Sequence, residues 1–343
     1  MTVLITGANG FIAEHVVDLL LKENYEVIGV VRSLEKAKKV HQQFGNSSKL
    51  SFEIVPELSA PNAFDPLFRK RGKEINSVIH MASPFISGAT DFENQLLIPA
   101  RNGTVSILNS IKQYGNGTVT RVVLTSSLLA VTDLHKMGDE TVTFTEKDWN
   151  PDTWASCQTN SLSAYAGSKK FAEEAAWNFI REHKSNINFD LTVVVPAMAL
   201  GPHKFAEDVK DGLNVSNRVI DGLLCSSPKR KLDHYMNAPF VDVRDVAKAH
   251  LIALEKANAR GQRLCVFKRS FGSQDILDIM NQKFPFVRGK ISQGPWPGKG
   301  DQNEGCNYNT SLSNKILGFE FLSLDQSVED TVTQILCVRD QIM

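Results

Sequence analysis

Two side chains in "AYAGSKKFAEEAAW" (164–177) carry the first chemical signal of the chain, Tyr165 and Lys169. The stretch reads as a helix, and residues four apart on a helix share a face with Cβ atoms about 5–6 Å apart. A phenol titrating near ~10 is a poor acid at neutral pH. A neighbouring ammonium stabilises its phenolate and makes it a usable general acid toward a carbonyl oxygen. The plain alternative is two unrelated surface residues. A carbonyl also needs a polar group to position it. "RVVLTSSLLAV" (121–131) places Ser126 and Ser127 at the end of a buried strand, where either could serve or both could merely cap the strand. Carboxyl ends of strands are where open α/β sheets bind ligands.

These groups need a scaffold, and the N-terminus describes one. In "TVLITGANGFIAEHVVDLLLKENYEVIGVVR" a β-branched run (Val3–Thr6) meets a Gly-rich turn. Apolar residues then recur at 12, 16, 19 and 20 with helical period, and a second apolar strand spans Glu26–Val31. Gly7 permits the tight turn, Gly10 lets backbone approach a pyrophosphate, and Ala13 allows close helix–strand packing. Free N–H groups and the helix dipole at that end attract an anion. A glycine pair alone is a weak sign; between strand and helix it indicates dinucleotide binding.

An NAD site usually holds an acidic residue about ~20 positions past the loop, on the ribose 2′-hydroxyl. Here Arg32 and Ser33 occupy that place and Lys36 follows one turn on, so the expected cofactor is NADP(H), its 2′-phosphate met by two cations. Both are otherwise ordinary solvated cations. Glu57 is placed to bond the adenine amino group or to be a plain loop residue.

Further strands are expected at Leu50–Val55, Ser77–His80, Arg121–Thr125 and Leu191–Val195, with helices over 98–114 and 163–183. Short, nearly all-apolar strands alternating with helices predict an α/β fold, a Rossmann doubly wound parallel sheet flanked by helices. After Pro196 the pattern changes, "SQGPWPGKGDQNEG" (292–305) reads as a loop and residues 324–342 as an amphipathic helix. "FVDVRDVAKAHLIALEK" (240–256) still reads as strand end into helix. We therefore expect a cofactor domain over 1–196 plus about 238–262, and a smaller mixed α/β substrate region over 197–237 and 263–343. His80, within a strand run, reads as a core histidine.

Composition excludes several classes. The 343 residues are 42% hydrophobic and carry 38 basic against 38 acidic side chains, a formal charge of zero. That gives no nucleic-acid or membrane-surface footprint. The runs Lys36–Lys39 and Lys229–Lys231 are otherwise solvated faces. Five scattered cysteines (157, 225, 265, 306, 337) lack metal-ligand spacing and are read as free thiols of a reducing compartment, with no metal site. Because residues 2–6 already read as strand, no signal peptide is expected; apolar runs fall short of the ~20 residues that span a bilayer. The expected location is cytoplasmic.

Taken in order, "TGANGFIA", "HMASP" (80–84), "NGT" (102–104), "TSS" (125–127), "YAGSK" (165–169), "VVVPAMALGP" (193–202) and "FVDVRDVAKAH" (240–250) resemble the extended short-chain dehydrogenase/reductase family. Within it the chain is similar to fungal NADPH-dependent aldehyde and ketone reductases of the methylglyoxal/3-methylbutanal type, relatives of plant dihydroflavonol reductases. The resemblance implies Ser127 as the catalytic serine, Tyr165 as acid/base and Lys169 as its partner, the lysine also holding a ribose hydroxyl. It implies cofactor contacts from Gly7, Asn9, Gly10, Phe11, Ile12, Arg32, Lys36, Glu57, Ala82, Tyr165, Lys169, Pro196 and Ser216. The substrate pocket would draw on Phe85, Thr132, Leu162 and Met198. Thr132 and Met198 depart from the bulkier aromatic side chains expected there. A small-molecule carbonyl substrate and a homodimer through the two long helices are also implied. Two other classes compete: a sugar-nucleotide epimerase or dehydratase, and a non-catalytic NADP-sensing protein. Dehydratases want acidic residues close behind the serine, where Leu128, Leu129 and Ala130 follow; sensing proteins commonly lose the tyrosine or lysine.

Overall fold

The structure is a computed structural model and describes residues 1–83, 88–230, 237–300 and 305–339. Strands and helices alternate from the first residues: β1 (Thr2–Thr6), α1 (Phe11–Lys22), β2 (Glu26–Val31), α2 (Leu34–Gln43), β3 (Leu50–Ile54), α3 (Asp65–Arg71), β4 (Ile75–His80), α4 (Ile98–Ser110) and β5 (Arg121–Thr125). There follow β6 (Thr143–Thr145), α5 (Ser161–His183), β7 (Asp190–Pro196), β8 (Met198–Leu200), α6 (Ala206–Asp211), α7 (Asn217–Leu224), β9 (Ala238–Asp242) and α8 (Val243–Glu255). The chain closes with β10 (Arg263–Val266), β11 (Arg269–Phe271), α9 (Ser273–Lys283), β12 (Asn307–Asn309), α10 (Ser311–Leu317) and α11 (Leu324–Val338).

Seven strands form one parallel sheet in the order β10-β7-β5-β4-β1-β2-β3. Strand order reverses between β1 and β4, where Thr6 lies opposite His80. A doubly wound sheet opens its ligand crevice at that reversal, beyond the carboxyl ends of the strands. α1 packs on α8 and α4 on α5, so helices cover the sheet and its strands can be apolar on both sides. Val3, Leu4, Ile5, Val78, Ile79, Val123, Val193 and Val194 are fully buried. Each such side chain contributes roughly 1.5–3 kcal/mol by leaving water. Gly29 in β2 is required by packing, since a Cβ there would stand 2.6 Å from the Phe52 ring.

A second core lies under the three-stranded sheet β11-β9-β8 and joins α7, α9 and α11 through Leu200, Ile220, Phe240, Phe271, Met280, Val328 and Ile335. Its segments are interleaved with those of the first core. β10, residues 263–266, is an edge strand of the central sheet, whereas the partition read from the sequence assigned everything from 263 onward to the substrate region. The apolar run Leu264–Val266 is buried against β7, which draws it into the sheet. Likewise Cys306, Ile316 and Leu317 pack with the first core. α5 starts two residues earlier than expected because the Asn160 side chain accepts hydrogen bonds from the Leu162 and Ser163 N–H groups. The helix expected over 98–114 is helical throughout: α4 runs to Ser110 and continues as a wider π-helical turn over Ile111–Gly115. Among the described residues no helix is long and apolar enough to cross a membrane.

Candidate active site

The turn after β1 and the ends of β2, β3 and β4 enclose a cavity of about 230 Å³ lined by Gly7, Asn9, Gly10, Arg32, Lys36 and Ala82, with Val30, Val55 and Leu58 on its apolar wall. Gly7 adopts φ +70°, and a Cβ on it would press on the Ala82 backbone at 3.2 Å, so the turn meets the end of β4 as closely as backbone allows. Thr6 fixes that approach: its Oγ1 accepts hydrogen bonds from the Met81 and Ala82 N–H groups at 3.1 and 3.0 Å. No side chain caps α1 at Gly10, which leaves first-turn N–H groups for an anion. These residues fit a dinucleotide: a backbone cradle for the pyrophosphate, an apolar wall for an adenine, and Arg32 and Lys36 at the far rim for a 2′-phosphate.

Phe11 and Ile12 form the first turn of α1, partly buried against the first core. Glu57 is exposed, and its carboxylate accepts from the Ser59 N–H at 3.0 Å and hydroxyl at 2.6 Å. Those bonds, with the Arg32 charge, hold it below the usual carboxylate range. Pro196 ends β7 and is buried. Ser216 stands before α7; its hydroxyl donates to the Ala199 carbonyl and accepts from Asn214.

The chemistry-bearing side chains meet where β5 ends beside α5. Ser127 caps a short 3₁₀ turn, Leu128–Ala130, and its hydroxyl lies beside the Tyr165 phenol. Burial pushes the Tyr165 phenol above its ordinary value, against which the Ser127 hydroxyl works. Lys169 lies one turn further along α5, its Nζ 5.8 Å from the Tyr165 ring centroid. Burial alone pushes its ammonium down to about 8. The serine, phenol and amine thus share one side of α5 at the carboxyl end of the sheet.

The three hydroxyls that end β5 go to different partners. Thr125 Oγ1 bonds His250 Nε2 at 2.7 Å, Ser126 Oγ donates to Glu173 Oε2 at 2.6 Å, and Ser127 faces Tyr165. The two adjacent serines, equivalent in the sequence, are therefore separated by their partners. His80 is wholly buried against Thr6 at 2.8 Å. Burial, with the nearby Lys169 charge, pushes it down to about 3, so it is a neutral core histidine.

The residues named for the substrate pocket are dispersed. Leu162 is 52% exposed, one turn before Tyr165 on α5. Met198 opens β8 and leans on the second core. Thr132 is fully buried, its hydroxyl donating to the Leu128 carbonyl and paired with the Tyr308 hydroxyl, both at 2.9 Å. Its side chain is committed inward. Phe85 lies outside the described residues. Sequence reasoning passed over Thr6, Glu173 and Arg263. Glu173 was the most findable, since it sits four residues beyond Lys169 on the same helix.

The NAD dependent epimerase/dehydratase family model matches residues 3–266. The chain is 49% identical over 344 residues to the NADPH-dependent methylglyoxal reductase of Saccharomyces cerevisiae, covering 100% of both chains. It is 32% identical over 338 residues to a cinnamoyl-CoA reductase of Medicago truncatula, covering 97% of this chain and 95% of that one. The crystal structure of yeast methylglyoxal/isovaleraldehyde reductase complexed with NADPH superposes with a TM-score of 0.97 at 48% identity, over 100% of each chain. On its sheet order, its phosphate turn and these matches, the chain belongs to the NAD dependent epimerase/dehydratase family.

Proposed function

We propose that this protein is an NADPH-dependent carbonyl reductase that converts small or hydrophobic aldehydes and ketones, methylglyoxal-like diketones among them, to alcohols. The observation that carries the reading is the cluster at the carboxyl end of β5, where Ser127 lies beside Tyr165 and Lys169 follows one turn on. When bound, NADPH supplies the hydride. Ser127 holds the carbonyl oxygen by a hydrogen bond, and Tyr165 donates its proton to that oxygen. The Lys169 charge favours the phenolate left behind. The cofactor preference rests on Arg32 and Lys36 at the rim of the dinucleotide cavity. The yeast relatives, named for NADPH and for methylglyoxal or isovaleraldehyde, support both halves of the reading.

Residues 1–196 with 238–262 serve the cofactor in this reading, and 197–237 with 263–343 the substrate, β10 excepted. Five free thiols support a cytoplasmic location. A homodimer through α4 and α5, which pack side by side, completes the proposal, and sedimentation tests it.

A panel of aldehydes, ketones and diketones assayed with NADPH and with NADH tests the function. NADPH oxidation with alcohol formation is the expected result. Conversion of UDP-sugars, or tight NADPH binding without turnover on any carbonyl, would replace it with an epimerase or a sensing protein. Arg32→Ala should raise KM for NADPH by roughly tenfold or more, the worth of a charge-assisted hydrogen bond, and leave KM for NADH within about twofold. Equal effects on both would remove the 2′-phosphate argument.

A further inference from the structure

We propose that the buried Glu173–Arg263 pair is a positioning device for the active-site serine, acting on Ser127 through Ser126. The proposal rests on the reading of Ser127 and Tyr165 given above.

Glu173 is fully buried on α5, two turns beyond Tyr165. Its carboxylate takes four donors: Ser126 Oγ at 2.6 Å, Arg263 Nε at 2.6 Å and Nη2 at 3.3 Å, and Trp177 Nε1 at 3.1 Å. That accounts for about the four lone-pair sites an ionised carboxylate offers. Arg263 comes from the edge strand β10 and is itself held. Its Nη1 donates to the carbonyls of Glu146 at 3.0 Å and Asp148 at 2.6 Å, and its guanidinium lies 3.9 Å from the Trp149 ring centroid.

The consequence is geometric. Two consecutive residues just past the end of β5 face helix α5, Ser126 hydrogen-bonded to Glu173 and Ser127 beside Tyr165. One point of contact would let the strand end pivot about the Tyr165 hydroxyl. A second, to a residue two turns further along the helix, removes that pivot. The Ser126 N–H adds a third tie, to the Val194 carbonyl in β7 at 2.8 Å. The anchor is charge-assisted, which makes it short and directional. Arg263, bonded through Nε and Nη2, holds the carboxylate so that it cannot turn away. A lost ångström of alignment in an active site costs on the order of 10²-fold in rate.

Single-turnover stopped-flow at saturating NADPH tests this, because the rate constant reports the step at the reacting carbon while the amplitude reports how much enzyme is competent. Ser126→Ala cuts the link and leaves the Glu173–Arg263 pair intact, so it avoids an orphaned buried charge. The expected result is a rate constant lowered about 10- to 100-fold, with full amplitude and an NADPH Kd within about twofold of wild type. Ser126→Thr, which keeps the hydroxyl, should recover most of the rate. A Ser126→Ala rate constant within about twofold of wild type would overturn the proposal. So would a reduced amplitude at unchanged rate, which would assign the network to the fold alone. Ser127→Ala is the separating control: if it retains turnover, the underlying reading of Ser127 fails whatever Ser126 does.

Discussion

Tyr165 and Lys169 show how one position changes meaning with its surroundings. On an exposed helix they would titrate near their ordinary values and contribute nothing. Here burial pushes the phenol up and the ammonium down to about 8, so beside the Ser127 hydroxyl the phenol holds its proton more firmly than the amine does. Tyr165→Phe removes the proton donor without altering the cavity that takes the dinucleotide. We expect kcat to fall about 10²- to 10⁴-fold with NADPH affinity preserved, measured by steady-state turnover and fluorescence titration. The pH dependence follows from Lys169. Below about 8 it is an ammonium and supports the developing phenolate; above, it is an amine and does not. The carbonyl-reduction rate should therefore decline on the alkaline side of pH 8, and a profile flat to pH 10 would sever the lysine from the chemistry.

At the scale of elements, α1, which follows the Gly7–Gly10 turn, is tied to α6 by an acid pair. Glu14 of α1 is buried beside Asp208 of α6. Burial first, then the Asp208 charge and hydrogen bond, push Glu14 up to about 9. Burial pushes Asp208 up too, but hydrogen bonds from Lys39, Gln43 and Glu14 outweigh it and hold it below the usual range. Lys39 on α2 also reaches Asp211 at 2.7 Å, so α1, α2 and α6 meet at one proton. The sign is set by Glu14: its folded value lies above its unfolded one, so its contribution is complete below about 4.5 and is lost as pH rises toward about 9. Glu14→Gln keeps a donor toward Asp208 and cannot titrate. Denaturant unfolding from pH 5 to 9 should show wild type losing stability relative to Glu14→Gln; parallel curves would break the shared-proton account.

For the whole molecule, the joint between the two cores is an ion-pair network. Asp242, fully buried at the end of β9, accepts from Arg244 Nε and Nη2 at 2.8 Å each, and Arg244 Nη1 reaches Asp330 of α11 at 2.6 Å. Arg244→Ala leaves a buried carboxylate without its partner, for which about 3–5 kcal/mol of destabilisation is expected in urea unfolding. Lys22→Ala breaks the exposed pair with Asp18, whose lysine is 65% exposed, and should cost under about 1 kcal/mol. Comparable losses from the two would mean that the joint does not hold the cores together.

Local periodicity and turn chemistry were enough to place β1 to β5, the phosphate turn with Arg32 and Lys36 behind it, and the Tyr165–Lys169 pair, because each depends on residues within about ~25 positions of one another. The parallel pairing of the strands follows from the same alternation, since parallel strands require helical crossovers; their order in the sheet does not. What the sequence left open needed contacts between distant segments. Ser126 and Ser127 are neighbours of one type, and only Glu173 arriving from α5 and Arg263 from β10 set them to different tasks. Thr132 read as pocket lining until Tyr308, 176 residues on, took its hydroxyl. Residues 263–266 read as the start of the substrate region until β7 offered them an edge. A hydrogen bond between residues far apart in the chain leaves no periodic trace, so its partners are set only when the whole molecule closes.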